Sequence, residues 1–455
     1  MSASTSGSSS PTTRSTSLRI AGALELRGIP KGLADRIKKY LRLKNPSYEQ
    51  ACRANPSARY ALSEYVKYYV DARPDGPMTI PRGVLGKLSH EDIAYEDDTV
   101  SVPVDVTKSS ICLRDYQEGV AEHAIKHTDG IFRLSTGFGK TLVMLKIHEL
   151  LKEKTLVIVP RIDLLDNVVA EYERYFRGKC GRIQGKVSDI KDFTVGTIQS
   201  VRNQIESGTL KDDMFGCIIA DECHSYIPEK SRSAIEFFRP MHRYGLTGTL
   251  DRSDGQGAAI SWVFGPALCD RELPGLVPEV RLHEFRGYLP VLRYDEAVTL
   301  QAENEERNEM IRDIVRKAIE EGRKVLVLCK RVEHYKSLRP DEDGHIECNS
   351  DADRGDRKAM MASLKDGTLG YKAIYGSMGL LSTGVDIPSL DTLVIAGDLK
   401  SSVLLRQSSG RILRLFSGKE TPRIHDVIDV GNPVFRKQGK LRQQAYASLG
   451  WKIIN

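Results

Sequence analysis

The most constraining feature of this chain is a pair of distant strings, each placed directly after an apolar run. Ser135-Thr136-Gly137-Phe138-Gly139-Lys140-Thr141 follows Ile131-Phe132-Arg133-Leu134, and Asp221-Glu222-Cys223-His224 follows Cys217-Ile218-Ile219-Ala220. The first string offers a Gly-containing turn whose backbone N–H groups can face phosphate oxygens, a lysine to neutralise their charge, and a hydroxyl for a divalent metal. The second offers carboxylates for that metal and for an attacking water. A parallel sheet brings such strand ends together at its carboxyl edge. The strict phosphate-loop pattern has glycine six residues before the lysine, where this chain has Leu134, so the inference rests on the pairing of the two strings.

The texture around them agrees. Ile131–Leu134, Thr155–Val159, Thr194–Thr197, Cys217–Ala220 and Tyr244–Thr247 read as buried strands, with helices over Val143–Leu151 and Leu164–Phe176. The alternation repeats with strands at Lys324–Cys329, Tyr371–Tyr375, Thr392–Ala396 and His425–Asp429, and helices over Asn304–Glu321, Arg354–Leu364 and Val403–Leu413. Short apolar strands alternating with helices predict α/β domains with parallel sheets, here two in tandem. The Pro- and Gly-rich stretch from Pro266 to Pro290 reads as the connection between them.

The segment before these domains differs. Residues 1–17 are Ser/Thr-rich without an apolar core, as expected of a disordered tail rather than a secretory signal or anchor. Residues 18–107 read as a small accessory domain. Its stretch Lys31–Lys44 spaces Leu33, Ile37, Tyr40 and Leu41 among basic residues, which predicts a helix with one cationic face. Ala61–Val70 reads as a second helix, and Asp75-Gly76-Pro77 with Ile80–Leu85 as loops or short strands. Residues 108–272 and 280–455 complete the division.

Composition narrows the classes. Hydrophobic residues make up 40% and charged residues 28%, and no apolar run approaches the roughly 20 residues of a membrane span. Eight cysteines are scattered without a C-x-x-C pair, which points to a reducing compartment, with neither a disulfide framework nor zinc. The net charge of +6 permits nucleic-acid binding without demanding it.

From Leu113 to Asp429 the short strings occur in an order that resembles the superfamily 2 helicases. Leu113-Arg114-Asp115-Tyr116-Gln117 is similar to their opening element and Ser135–Thr141 to motif I. Val159-Pro160-Arg161 with Leu164-Leu165 resembles motif Ia, and Gly196-Thr197-Ile198-Gln199-Ser200 motif Ib. Asp221–His224 is the DExH form of motif II, and Leu246-Thr247-Gly248-Thr249 resembles motif III. Val325–Cys329 with His334 resembles motif IV, Ser382-Thr383-Gly384-Val385-Asp386-Ile387-Pro388 motif V, and Gln407-Ser408-Ser409-Gly410-Arg411-Ile412-Leu413-Arg414 motif VI.

The resemblance implies two tandem RecA-like domains that use ATP and Mg²⁺. Lys140 then lies by the transferred phosphoryl group, Thr141 and Asp221 hold Mg²⁺, and Glu222 orients or deprotonates the water. His224 and Gln407 sense the γ-phosphate, while Arg411 and Arg414 supply positive charge to the transition state. Arg114, Tyr116 and Gln117 face the adenine or support the phosphate loop, whose remaining members are Thr136, Gly137, Phe138 and Gly139. Gly384 and Asp386 couple the second lobe to the nucleotide. Arg161, Thr197, Gln199, Ser200 and Thr383 provide non-specific contacts to a nucleic-acid backbone. Motif III departs from its relatives, with Gly248 where many have alanine, which loosens that loop.

Gly245–Thr249 followed by Asp251-Arg252-Ser253-Asp254-Gly255, with Leu399-Lys400-Ser401-Ser402 leading into motif VI, looks most like the XPB/RecG-related branch, which includes phage UvsW-type and T5-type helicases. That branch implies a DNA partner, tracking along one strand, remodelling of forks or four-way junctions, replication or recombination partners, and an intracellular site of action, including a phage protein at work in a host cytoplasm. Three other readings remain at this point: a translocase subunit of a restriction or defence complex, an RNA helicase, and a nucleic-acid-binding scaffold that has lost catalysis.

Overall fold

The computed structural model describes residues 16–72, 76–88, 91, 93–107, 109–135, 137–248, 254–271, 276–287, 290, 293–348, 354–377, 387, 389–397 and 421–454. The chain divides into two compact units, Met1–Leu134 with Lys140–Asp270, and Ser135–Gly139 with Arg271–Asn455. Among the described residues no helix is long and apolar enough to cross a membrane.

Six short strands open the first unit: β1 (Ser17–Ile20), β2 (Ala23–Arg27), β3 (Arg42–Lys44), β4 (Tyr65–Lys67), β5 (Met78–Pro81) and β6 (Ala94–Asp97). Four of them form a sheet in the order β5-β2-β1-β6, and β3 pairs with β4 as a separate ribbon. The large sheet follows, made of β7 (Asp129–Leu134), β8 (Thr155–Val159), β9 (Gly181–Gln184), β10 (Val187–Asp189), β11 (Phe193–Thr197), β12 (Cys217–Asp221), β13 (His242–Thr247) and β14 (Ala267–Arg271). Its order is β10-β9-β11-β8-β12-β13-β7-β14. From β9 across to β7 all neighbours run parallel. Every residue of β8, β11 and β12 is buried, as continuous apolar runs require when helices cover both faces. Because these strands are parallel, their last residues, Leu134, Val159, Thr197, Asp221 and Thr247, come to one edge.

The N-terminal strands share the core of this sheet. Leu24, Leu26, Met78 and Ile80 belong to the same apolar cluster as Phe238, Trp262 and Phe264. Buried Arg82 fastens the seam. Its Nε donates to Asp129 Oδ2 at 2.8 Å, and its Nη atoms donate to the carbonyls of Pro240 at 2.6 Å and Met241 at 3.0 Å. From the other side Arg243 Nη2 donates to the Gly22 carbonyl at 2.7 Å. Residues 18–107 therefore fold onto the first large sheet rather than as a separately cored module.

Three sequence expectations fail here. Ala61–Val70 is not a helix: a 3₁₀ turn covers Pro56–Tyr60, and Tyr65–Lys67 is β4. The run Tyr65-Val66-Lys67-Tyr68-Tyr69-Val70 is aromatic and β-branched, and Val70 exchanges backbone hydrogen bonds with Thr79 at 2.8 and 3.1 Å, so strand pairing prevails over helical spacing. The basic helix spans Lys31–Tyr40 and stops there, because Leu41 turns the chain into β3. The stretch from Pro266 to Pro290 also holds more structure than a linker, since it contains β14 and the start of the next sheet.

The second unit carries β15 (Glu279–Phe285), β16 (Val325–Cys329), β17 (His345–Cys348), β18 (Ala373–Ser377), β19 (Thr392–Ile395), β20 (Arg423–Asp429) and β21 (Lys452–Ile454). They form one sheet in the order β17-β18-β16-β19-β20-β15-β21, parallel throughout. Helices include Tyr294–Glu303, Glu305–Glu320, Val332–Leu338, Arg354–Asp366 and Pro433–Ser448. The expected helix at Val403–Leu413 lies outside the described residues. Buried ion pairs tie helices to β20. Arg307 donates from Nε to Asp429 Oδ1 at 2.6 Å, and Gln301 adds a bond to Oδ2. Arg442 grips Asp426 through two nitrogens at 2.8 and 2.9 Å, with the Tyr446 hydroxyl at 2.8 Å.

Candidate active site

Three of the chain's unusual side chains meet at the carboxyl edge of the first large sheet. Lys140 opens the helix Lys140–Leu151, and its Nζ donates to Glu222 Oε1 at 2.6 Å. Asp221 is the last residue of β12, is 6% exposed, and accepts from the Glu222 N–H at 3.0 Å. Glu222 sits in the left-handed region at φ 49 and ψ 49. A non-glycine residue there costs about 1–3 kcal/mol of local strain and persists only where its surroundings over-determine it. They do so here, because Ser225 N–H donates to the Glu222 carbonyl at 2.8 Å and the turn Cys223–Tyr226 packs directly against β13. That packing requires Gly245, where a Cβ would lie 2.9 Å from both Cβ and Sγ of Cys223.

The electrostatics divide the two acids. Burial pushes the Asp221 carboxyl up to about 6, with the Glu222 charge adding to the rise and Lys140 only partly opposing it. Burial acts on Glu222 in the same sense, yet Lys140, His224 and the Gly248 N–H bring it below its usual range. Lys140 is drawn down by burial but raised overall by the two carboxylates. The His224 ring completes the group: its Nδ1 is 2.9 Å from Thr247 Oγ1 and 3.4 Å from Glu222 Oε2. Glu222 Oε2 is buried without a hydrogen-bond partner. An orphaned carboxylate oxygen beside a second acid, with the Thr141 hydroxyl in the first turn of the helix, is a donor set of hard oxygens that fits Mg²⁺.

The other residues singled out in the sequence lie in several places. In the turn 135–139, Gly137 and Gly139 have φ of 87 and 86, values that favour glycine, while Phe138 is buried and its N–H donates to the Ser135 carbonyl at 3.1 Å. Arg114, Tyr116 and Gln117 organise the start of the helix Asp115–Ala124. Gln117 Oε1 accepts the Arg114 N–H at 2.9 Å, and the Arg114 guanidinium donates to the Tyr116 hydroxyl at 2.7 Å. Arg161 follows β8 at the same edge as Asp221. Half-buried, it has its pKa lowered by desolvation, against the pull of Asp163 and Glu222.

Thr197 and Ser200 are buried, and their hydroxyls are engaged within the fold. Thr197 caps the helix Ile198–Glu206 by accepting from Ser200 N–H at 3.3 Å, and Ser200 Oγ accepts from Gly185 N–H at 2.8 Å. Gln199 is the outward member, bonded to Asn203 at 3.0 Å. His334 is buried in the second unit against Asn308 at 3.0 Å. Thr136, Thr383, Gly384, Asp386, Gln407, Arg411 and Arg414 lie outside the described residues. Thr247 was not among the residues singled out for chemistry. Its place in motif III, at the end of the Tyr244–Thr247 run, was the available signal.

Tandem parallel sheets with a lysine, an acid pair and a histidine at a strand edge define an ATP-hydrolysing enzyme of the RecA-like class. Comparison with known proteins narrows the class. Residues 110–252 match the family described as the type III restriction enzyme, res subunit. A protein of Acanthamoeba polyphaga mimivirus that carries the name ATP-dependent RNA helicase L396 is 27% identical over 398 residues, 81% of this chain and 73% of the relative. Helicase D10 of Escherichia phage T5 is 26% identical over 390 residues, 82% of this chain and 84% of the relative. The ATP-dependent DNA helicase uvsW of Enterobacteria phage T4 is 25% identical over 347 residues, 69% of this chain and 68% of the relative. The chain is thus similar to these helicases over 81%, 82% and 69% of its length.

Proposed function

We propose that this chain is a DNA-directed motor that hydrolyses ATP to remodel branched DNA, at forks or four-way junctions, in replication, recombination or repair. The observation that carries the catalytic part is the Lys140–Glu222 contact of 2.6 Å beside buried Asp221. Lys140 holds Glu222 until a nucleotide arrives, whose phosphate oxygens then compete for the same ammonium. That exchange frees Glu222, already the less protonated of the two acids, to orient the hydrolytic water. Asp221 and Thr141 would hold Mg²⁺, which supplies charge neutralisation at the phosphates. His224, bonded to Thr247, couples the acid turn to the end of β13. Gln407, Arg411, Arg414, Gly384 and Asp386 are assigned to the second lobe's share of the site on their motif positions, and Arg114, Tyr116 and Gln117 to the adenine side.

The branched-DNA reading rests on the phage relatives and on the Leu399–Ser402 lead-in to motif VI. Arg161, Gln199 and Thr383 are the proposed backbone contacts. For Thr197 and Ser200 the helix-cap bonds leave backbone N–H groups and the helix start as the contact chemistry rather than their hydroxyls. Residues 18–107 are proposed to bind DNA alongside the first lobe.

The name of the mimivirus relative favours RNA as a second reading, and the restriction-enzyme family match favours a translocase subunit as a third. ATP turnover with four-way-junction DNA, duplex DNA and single-stranded RNA separates these. Junction DNA should stimulate turnover most, and labelled junctions should be resolved with ATP by the native chain but not by Glu222→Gln. Stimulation by RNA alone would remove the DNA reading.

A further inference from the structure

Positive charge is concentrated in one short piece of the chain. Residues 31–71 hold nine Lys and Arg against four Asp and Glu, a net of +5, where the whole chain nets +6. The same piece holds six of the chain's 18 tyrosines. Basic residues interleaved with aromatic ones are what binding of nucleic-acid strands without sequence preference requires, since cations meet phosphates and rings stack on bases.

The structure separates two candidate surfaces within this piece. On the helix Lys31–Tyr40, Arg36 is paired with Glu91 at 2.6 Å and Lys38 with Asp71 at 2.5 Å, so much of that cationic face is neutralised. The β3–β4 ribbon is different. Its register sets Arg42 opposite Lys67, Leu43 opposite Val66 and Lys44 opposite Tyr65. Side chains alternate faces along a strand, so Leu43 and Val66 point to the core, which they touch, and Arg42, Lys44, Lys67 and Tyr65 share the outer face. No acid lies within either strand, and Glu64 borders them. The cations are laid on rings: Arg42 is 4.8 Å from the Tyr65 ring centre and Lys67 is 5.9 Å from that of Tyr69. At the adjoining 3₁₀ turn Arg59 stacks on Tyr60 at 4.8 Å, and Tyr60 is 80% exposed.

The ribbon is also anchored to the first lobe. Buried Tyr68 donates to Gln256 Oε1 at 2.6 Å, Gln256 Nε2 donates to the Lys44 carbonyl at 2.7 Å, and the Tyr68 ring packs edge-on against Trp262 at 5.1 Å. A strand held on the ribbon would move with that lobe.

We propose that the outer face of the β3–β4 ribbon, with the Arg59–Tyr60 corner, is a platform for single-stranded nucleic acid. Arg42, Lys44 and Lys67 contact backbone phosphates, and Tyr60 and Tyr65 stack on bases. This rests on the reading of the chain as a nucleic-acid motor and names the surface outside the motifs on which the strand lies.

The test uses the full chain without nucleotide and fluorescence anisotropy with a labelled oligothymidylate and a labelled blunt duplex across a salt series. Arg42→Ala with Lys67→Ala should weaken oligothymidylate binding about tenfold and lower the slope of log affinity on log salt by about 1.4, the share of two phosphates on a single strand. Tyr60→Ala should weaken single-strand binding about fivefold or more while Tyr60→Phe retains it, because base stacking needs the ring and not the hydroxyl. Arg36→Ala with Lys38→Ala should change little. Unchanged single-strand affinity and slope in the Arg42/Lys67 variant overturns the platform, as does an equal loss from the Arg36/Lys38 variant. Loss of duplex binding alone on Tyr60→Ala overturns the stacking. ATP turnover of the native chain with and without DNA is read in parallel. Absence of stimulation counts against the motor, whereas stimulation combined with unchanged binding by the ribbon variants counts against the platform alone.

Discussion

Glu222 in the first unit and Asp429 in the second are carboxylates each 2.6 Å from a cation, yet Asp429 is 2% exposed and Glu222 23%, and the two pairs differ in what surrounds them. Asp429 has both oxygens engaged, by the rigid guanidinium of Arg307 and by Gln301, and it lies at the end of β20 under a helix. Glu222 has one oxygen on the single ammonium of Lys140 and the other without a hydrogen bond, 3.4 Å from His224 Nδ1, on a strained backbone. Asp426 repeats the first pattern with Arg442 and Tyr446. The same short ion pair is thus a rivet where both oxygens are hydrogen-bonded and an exchangeable contact where one is not. Arginine suits the former, since its planar fork holds both carboxylate oxygens, and lysine the latter.

The comparison can be broken most decisively at Glu222. Glu222→Gln should lower ATP turnover by about 10² to 10⁴, the usual contribution of a positioned base, with little change in thermal stability. A loss of folding instead would make Glu222 another rivet. Asp429→Ala should do the reverse, leaving Arg307 buried and unpaired at a cost of about 3–5 kcal/mol in denaturant unfolding, without any direct effect on the chemistry.

Acid titration gives opposite slopes in the two units. His334 is held near 3 by burial and then by the Arg307 charge, well under its unfolded value of 6.5. The folded state therefore binds fewer protons than the unfolded state between those values, and the stabilising effect of neutral His334 is present above pH 6.5 and lost as pH falls toward 3. At pH 5 that amounts to about 2 kcal/mol. Asp221, raised to about 6 from 3.8, acts in the other sense, since its ionisation above that window costs stability. Unfolding followed against pH without metal or nucleotide, in the native chain and in Asp221→Asn and His334→Asn, checks the two signs. The smallest effect expected is at Thr247→Val, which removes the bond to His224 and should reduce turnover by up to about tenfold, with unfolding nearly unchanged.

Local signals were enough for the strands of the catalytic sheet. Thr155–Val159 and Cys217–Ala220 are continuous apolar or β-branched runs whose length admits little else, and the second leads directly into the acids Asp221 and Glu222. The N-terminal region was far less legible. Ala61–Val70 satisfies a helical spacing as well as a strand, and the decision came from Thr79 and from Trp262, which lie far from it in sequence. The same holds for Thr197 and Ser200: their hydroxyls suit a phosphate or a helix cap equally, and burial commits them to the cap.

The sequence by itself determined the tandem α/β plan, the order of the motifs and the residue types of the ATP site, because strand period, turn glycines and paired acids are local properties. Only the tertiary structure decided which acid is bonded to Lys140, that Thr247 holds His224, that residues 18–107 share the core of the first lobe, and that Arg36 and Lys38 of the basic helix pair with acids while Arg42 and Lys67 of the ribbon lie over tyrosine rings. Those depend on distances between residues remote in the chain, and burial, which sets both pairing and protonation, is fixed only when the strands have met.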